Sequence, residues 1–299
     1  MQDTSLKQSI GRYGIWSMAL RVMNPGQRAE LGEAAQEAEE LGYGALWIGG
    51  SPSVQQAAAI IEQTSRVTVG TSITTIWDHK AADVAQQVTA LDRTHPGRFV
   101  LGLGVSHSKL VDRYQRPYST MVEYLDALDA AGHPAERRAL AALGPKMLKL
   151  ARDRSAGTLP YLSTVQHTAM ARESLGDGPL LAPEVRVLLE TDPDRARAVG
   201  RMNITTRMEN YANNLLRSGF TEDDLANGGS DRLVDAIIAW GDEERIKGRL
   251  DEYFAAGADH VAIQIVTDRP NGVRYLTEGQ PLEDRVREGW RRLADVLTA

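Results

Sequence analysis

The sequence predicts an α/β protein: one (β/α)8 TIM barrel domain over residues 1–299, with a helical insertion between its seventh and eighth strands. Three observations carry that prediction. Eight short apolar runs recur along the 299 residues, separated by segments of helical periodicity. Several runs end abruptly in Gly, Ser, Thr or His, as expected where parallel strands deliver side chains to one functional face. No glycine-rich dinucleotide turn follows the first run, which ranks a doubly wound open sheet second.

The first strand is read at Tyr13–Ala19, and Asn24–Gly26 turns the chain into a helix over Arg28–Leu41. That helix sets Leu31, Ala35 and Ala38 on one face and stops at Gly42. Ala45–Ile48 is the second strand, ending in Gly49-Gly50-Ser51, and Val54–Gln63 the second helix. Val67–Thr71 is the third strand. It leaves through Ser72-Ile73-Thr74-Thr75 to a helix at Ala81–Asp92. Pro96-Gly97 then leads into Arg98–Ser108 (RFVLGLGVSHS), the central stretch of the chain. Phe99, Val100, Leu101, Leu103 and Val105 suit a strand buried on both faces, and the glycines between them admit close approach of other backbone.

Arg113–Ala131 reads as helical, Arg138–Leu143 as the fifth strand and Lys146–Arg154 as a helix. Gly157–Leu162 is the sixth strand, Val165–Leu175 a helix, Glu184–Leu189 the seventh strand and His260–Val266 the eighth. Roughly seventy residues separate the last two strands, and 191–255 form the expected insertion. Within it Tyr211–Phe220 and Asn227–Trp240 read as helices, the second capped by Ser230. Leaving from the carboxyl end of strand seven, this segment is expected to wall the barrel mouth.

Composition narrows the function. Hydrophobic residues make up 42% and charged residues 25%, as in ordinary globular proteins. A formal charge of −6 argues against a nucleic-acid partner. The absence of Cys excludes disulfides and thiolate chemistry. No apolar run approaches a membrane span, and MQDTSLKQSIGRYGIW lacks the apolar core of a signal peptide. The expectation is a cytoplasmic protein acting on a small-molecule substrate.

Candidate chemistry sits at the strand ends. His107 is the strongest general acid or base of the six histidines by position, with Asp78 and His79 second. His260 starts the last strand and so falls at the opposite, stabilising end, while His95, His133 and His167 read as structural or solvated. Gly144-Pro145-Lys146-Met147 opens a helix with unpaired N–H groups, the positive dipole end and a lysine, an arrangement suited to phosphate. The alternative is a plain strand-to-helix turn. Ser72-Ile73-Thr74-Thr75 offers backbone and hydroxyl groups to a pocket. Trp16, Trp47 and Trp77, near three strand ends, either bracket a flat ligand or pack the rim. No His–carboxylate spacing suggests a metal, and no Ser–His–Asp order or nucleophile-elbow motif is visible.

Taken together, Leu41–Ser51 (LGYGALWIGGS), Val67–Thr74 (VTVGTSIT), Arg98–Ser108, Leu143–Leu150 (LGPKMLKL) with Ala156-Gly157, and Ala256–Gln264 (AGADHVAIQ) resemble the luciferase-like superfamily. Within it, they resemble the deazaflavin-dependent oxidoreductases of actinobacterial type. The resemblance covers nearly the whole chain. It implies a barrel whose mouth holds coenzyme F420 or, in sister groups, flavin mononucleotide (FMN), and often a homodimer. It implies a non-prolyl cis peptide at Ser72-Ile73 and a phosphate loop at Gly144, Pro145, Lys146 and Met147. Trp47, Gly49, Thr74 and Ser106 complete the expected cofactor contacts, with His107 as the catalytic candidate. The sugar-phosphate dehydrogenases of the superfamily carry an Asp-His pair after the second strand and a Glu after the fourth. Gly49-Gly50 and Ser106-His107 stand there in this chain, so that substrate chemistry is not carried over.

Overall fold

The computed structural model describes residues 6–269 and 279–298. The first residues of the N-terminal stretch read above therefore lie outside the described part. The strands are β1 (Tyr13–Ser17), β2 (Ala45–Ile48), β3 (Thr68–Thr71), β4 (Thr74–Thr75), β5 (Phe99–Gly104), β6 (Arg138–Leu140), β7 (Gly157–Thr158), β8 (Leu180–Leu181), β9 (Glu184–Leu188), β10 (Ile238–Trp240) and β11 (Val261–Ile265). Neighbours run β10-β9-β11-β1-β2-β3-β5-β6-β7-β8, with β4 on β5, and the pairings are parallel.

The stretch 180–188 joins the two ends of this sheet. On one side the N–H groups of Leu180, Ala182 and Glu184 donate to the carbonyls of Ala156, Thr158 and Pro160. On the other, Asp259 and Ala262 donate to Leu181 and Pro183. Helices surround the sheet, and the architecture is the TIM-barrel-like α/β fold the sequence predicts.

Side-chain alternation along the strands builds two layers. Ile15, Leu46, Ile48, Val69, Leu101 and Ile263 join the large core beneath the helices, while Trp16, Trp47, Val100 and Ala262 belong to a separate interior cluster. Glycines make room for the two interior tryptophans. A Cβ on Gly70 would stand 2.4 Å from the Trp47 ring, and one on Gly49 2.4 Å from the Trp16 ring. The glycines of the central stretch act as expected: a Cβ on Gly102 would meet the Thr71 carbonyl oxygen at 1.8 Å.

The sequence reading lacks β8 and extends the strands at β6 and β7 too far, and three further elements differ from it. The third strand is interrupted, because Thr71, Ser72 and Ile73 stand opposite only Leu101 and Gly102, a bulge between β3 and β4. Thr71 Oγ1 takes over the pairing there, donating to the Gly102 carbonyl at 2.8 Å and accepting from the Gly102 N–H at 2.9 Å. Second, Ile238–Trp240 is not the end of a helix. The helix stops at Ile237, and β10 pairs with β9. A short apolar run fits either state by periodicity, and an available strand edge decided it. Third, the helix read from Arg113 begins only at Pro117, whose ring occupies the first turn.

Candidate active site

The carboxyl ends of the strands open into a cavity of about 1090 Å³. Of the residues singled out from the sequence, Ser72, Ile73, Ser106, His107, Gly144, Pro145, Lys146 and Met147 line it. Trp47, Gly49 and Thr74 do not. Trp47 faces the barrel interior, 1% exposed, and its indole donates to His260 Nε2 at 2.9 Å. Gly49 is spent on admitting the Trp16 ring, and the Thr74 hydroxyl donates to the Pro52 carbonyl at 2.7 Å. Trp47 shares the interior face with Trp16 but reaches toward His260, so it lies below the mouth.

The bulge after β3 forms one side of the cavity, and its Ser72–Ile73 peptide bond is cis and non-prolyl. Trp16 Nε1 donates to Ser72 Oγ at 3.0 Å, tying β1 to the bulge. From Trp16 a row of rings crosses the cavity wall. Trp16 meets Tyr161 at 5.0 Å between centroids, Tyr161 meets Tyr211 at 6.0 Å, and Tyr211 meets His107 at 4.6 Å. Tyr211 belongs to the Glu209–Arg217 helix, whose Asn210 side chain also donates to the Ser106 carbonyl at 3.3 Å. This helix follows β9 and precedes β10 in the chain, and it lines the mouth with Asn210, Tyr211, Asn213 and Arg217.

Among the described residues, His107 Nδ1 is buried without a hydrogen-bond partner. Burial pushes its pKa below the usual histidine value, so the ring is neutral at neutral pH. Asp78 lines the same cavity, and His79 does not. Behind the ring row lies a buried polar group. Tyr161 donates to Gln264 Oε1 at 3.2 Å, the Arg186 guanidinium carbon sits 4.9 Å from the Tyr161 ring centre, and Arg186 Nε lies 3.5 Å from Glu184 Oε1.

Also lining the cavity, Gly144 precedes the Pro145–Arg154 helix and supplies no side-chain cap, so the first N–H groups of the helix lack a side-chain acceptor. The loop is held from behind, where His167 Nε2 lies 3.1 Å from the Leu143 carbonyl. Arg217 comes from the facing helix, its Nη2 3.8 Å from where a Gly144 Cβ would stand. Arg21, Tyr161, Tyr211 and Arg217 were missed in the sequence. Tyr161 lies near the carboxyl end of the sixth predicted strand, so its position was a usable signal; Tyr211 and Arg217 sit on a remote helix and carry no local one.

Residues 13–260 match the family model described as luciferase-like monooxygenase. The chain belongs to this family. Several solved structures share the luciferase-like fold. An F420-dependent secondary alcohol dehydrogenase, in complex with an F420-acetone adduct, has a TM-score of 0.68 at 13% identity, over 96% of this chain and 98% of that one. The coenzyme F420-dependent tetrahydromethanopterin reductase of Methanopyrus kandleri has 0.63 at 15%, over 92% and 99%. The oxygenating constituent of 3,6-diketocamphane monooxygenase from Pseudomonas putida, in complex with FMN, has 0.63 at 14%, over 95% of each chain. No curated protein sequence matches this luciferase-like chain. Among its described residues, no helix is long and apolar enough to cross a membrane.

Proposed function

We propose that this luciferase-like protein is an oxidoreductase that holds coenzyme F420 in the mouth cavity and exchanges hydride with a small organic substrate. The observation that carries the reading is the cavity itself, which brings together the Ser72–Ile73 bulge, a row of rings and an uncapped helix N-terminus. These residues fit a planar cofactor with an anionic tail. The bulge and Trp16 would support the ring system, while Gly144, Lys146, Met147 and Arg217 would hold phosphate through backbone N–H groups and positive charge. When bound, the deazaflavin supplies or accepts the hydride. His107, neutral through burial, would accept at Nε2 the proton released when substrate is oxidised, and the imidazolium so formed would return it in the reverse direction. We also read residues 191–255 as an insertion within one barrel domain, and the protein as a cytoplasmic homodimer.

Equilibrium titration of coenzyme F420 and of FMN, followed by tryptophan quenching, tests the reading, because Trp16 lies in the cavity wall. Micromolar or tighter binding of F420 alone is expected. Preference for FMN would replace the proposal with a monooxygenase fed by a separate reductase. Tight F420 binding with no turnover on any substrate would make the protein a non-catalytic cofactor-binding relative.

Two substitutions sharpen the test. Gly144 has ordinary extended backbone (φ −93°, ψ 157°), and the nearest atom to an added Cβ is Arg217 Nη2 at 3.8 Å. Gly144→Val should therefore fold normally yet weaken F420 binding about tenfold by crowding the phosphate approach. Unchanged affinity would remove the loop from the site. His107→Ala is expected to lower kcat by roughly a hundredfold, within the range for loss of a general acid or base, with little change in cofactor affinity. Because burial lowers the His107 pKa, activity that needs the neutral ring should persist below the usual histidine range. A variant as active as the parent would leave His107 without a catalytic role.

A further inference from the structure

We infer that the substrate half of the cavity takes an uncharged, apolar, ring-bearing molecule, held against a collar formed by residues 110–118. This rests on reading the cavity as a mouth shared by cofactor and substrate. The segment after β5 sorts its side chains by polarity: Leu110, Val111, Tyr114, Pro117 and Tyr118 line the cavity. Lys109, Asp112, Arg113, Gln115 and Arg116 of the same segment are exposed and do not line it. Such segregation is what a binding surface for apolar material requires, since a charge desolvated there without a partner is costly.

The rim stays apolar where it meets solvent. Leu110 is 37% exposed and Tyr118 42%, two of the four large hydrophobics exposed among the described residues. A single exposed leucine needs no explanation, whereas two at the lip of one cavity, continuous with three half-buried apolar neighbours, mark a ligand-facing patch. The collar is also anchored. Tyr114 packs against Trp77 at 5.7 Å between ring centres, and Trp77 Nε1 donates to the Val105 carbonyl at 2.6 Å. The two tyrosine rings favour a partner with a ring of its own, through edge or offset contacts. The charged groups of the wall, Arg21, Asp78, Lys146 and Arg217, come from other elements, so the collar adds no ionic group.

The test titrates the full chain with two matched bicyclic probes, neutral naphthalenemethanol and anionic naphthoate, each with and without saturating coenzyme F420. The alcohol should bind at least about tenfold more tightly than the acid. Leu110→Asp should weaken the alcohol at least about tenfold, while the F420 affinity and the unfolding midpoint stay as in the parent. Equal or tighter binding of naphthoate, or an alcohol affinity indifferent to Leu110→Asp, would overturn the inference. If F420 binds and the alcohol does not, the collar assignment fails and the cofactor reading survives. Alcohol binding that Leu110→Asp abolishes, in a protein that binds neither F420 nor FMN, would support the collar and sink the cofactor reading.

Discussion

Arg186→Met is expected to cost about 3–5 kcal/mol of folding stability, seen as a lower urea midpoint with an unchanged slope. Arg186 and Glu184 are 5% and 3% exposed, side by side at the start of β9. Arg186 also donates to the Asn203 carbonyl and lies over the Tyr161 ring. Glu184 Oε2 accepts from the Leu162 N–H at 3.2 Å, and Oε1 depends on the arginine's charge. Burial raises the Glu184 pKa and the nearby guanidinium opposes that rise. Removing the arginine leaves a carboxyl in the barrel interior with only one backbone donor, and that loss sets the size of the effect. The double variant Glu184→Gln with Arg186→Met should recover much of the stability, because no charge then remains buried. A single variant as stable as the parent would show that the pair contributes nothing to the fold. Since Tyr161 lines the cavity, the double variant also shows whether the pair shapes the wall, through its effect on cofactor affinity at constant stability.

Acid should destabilise the fold through His260, by roughly 3 kcal/mol between about pH 6.5 and pH 4. The ring is fully buried at the amino end of β11. Nδ1 lies 2.8 Å from the Gly11 carbonyl, and Nε2 accepts from the Trp47 indole at 2.9 Å. That pair of bonds fixes the neutral tautomer with the proton on Nδ1. Burial lowers the pKa from the usual 6.5 to about 4. In the unfolded chain the same ring takes up a proton near 6.5, so between the two values the unfolded state binds more protons. The stabilisation is complete above the unfolded pKa and is lost as pH falls through the folded one. Denaturant unfolding at a series of pH values measures this directly. His260→Gln retains a donor and an acceptor but does not titrate, so its pH profile should be flatter by about that amount. An equally steep profile in the variant would assign the acid sensitivity to other groups.

Both effects arise away from the cavity mouth, in the layers that hold the strands in place. The interior tryptophans illustrate the division. Trp16 reaches the cavity wall and braces Ser72, whereas Trp47, one strand over, turns to the His260 end of the barrel. Both lie near a strand end in sequence, and both looked equally suited to bracket a ligand.

Much of this protein was legible in the chain itself. The alternation of apolar runs and helical segments determined the barrel, because each period reflects a local backbone geometry that holds wherever the segment finally packs. The order of runs and polar ends placed Ser72, Ile73, Ser106, His107 and Gly144–Met147 on one face, and they do line one cavity. The position of His260 at a strand start placed it away from that cavity. Only the tertiary structure turned Trp47 to His260, used Gly49 to admit the Trp16 ring and bonded Thr74 to Pro52, and so removed all three from the mouth. Only tertiary contact made Ile238–Trp240 a strand and brought Tyr211 against His107 and Arg217 against Gly144. Those meetings join residues about fifty or more apart along the chain. The two side-chain meetings follow from the docking of one helix on the barrel rim, and the strand from an available sheet edge, to neither of which local periodicity is sensitive.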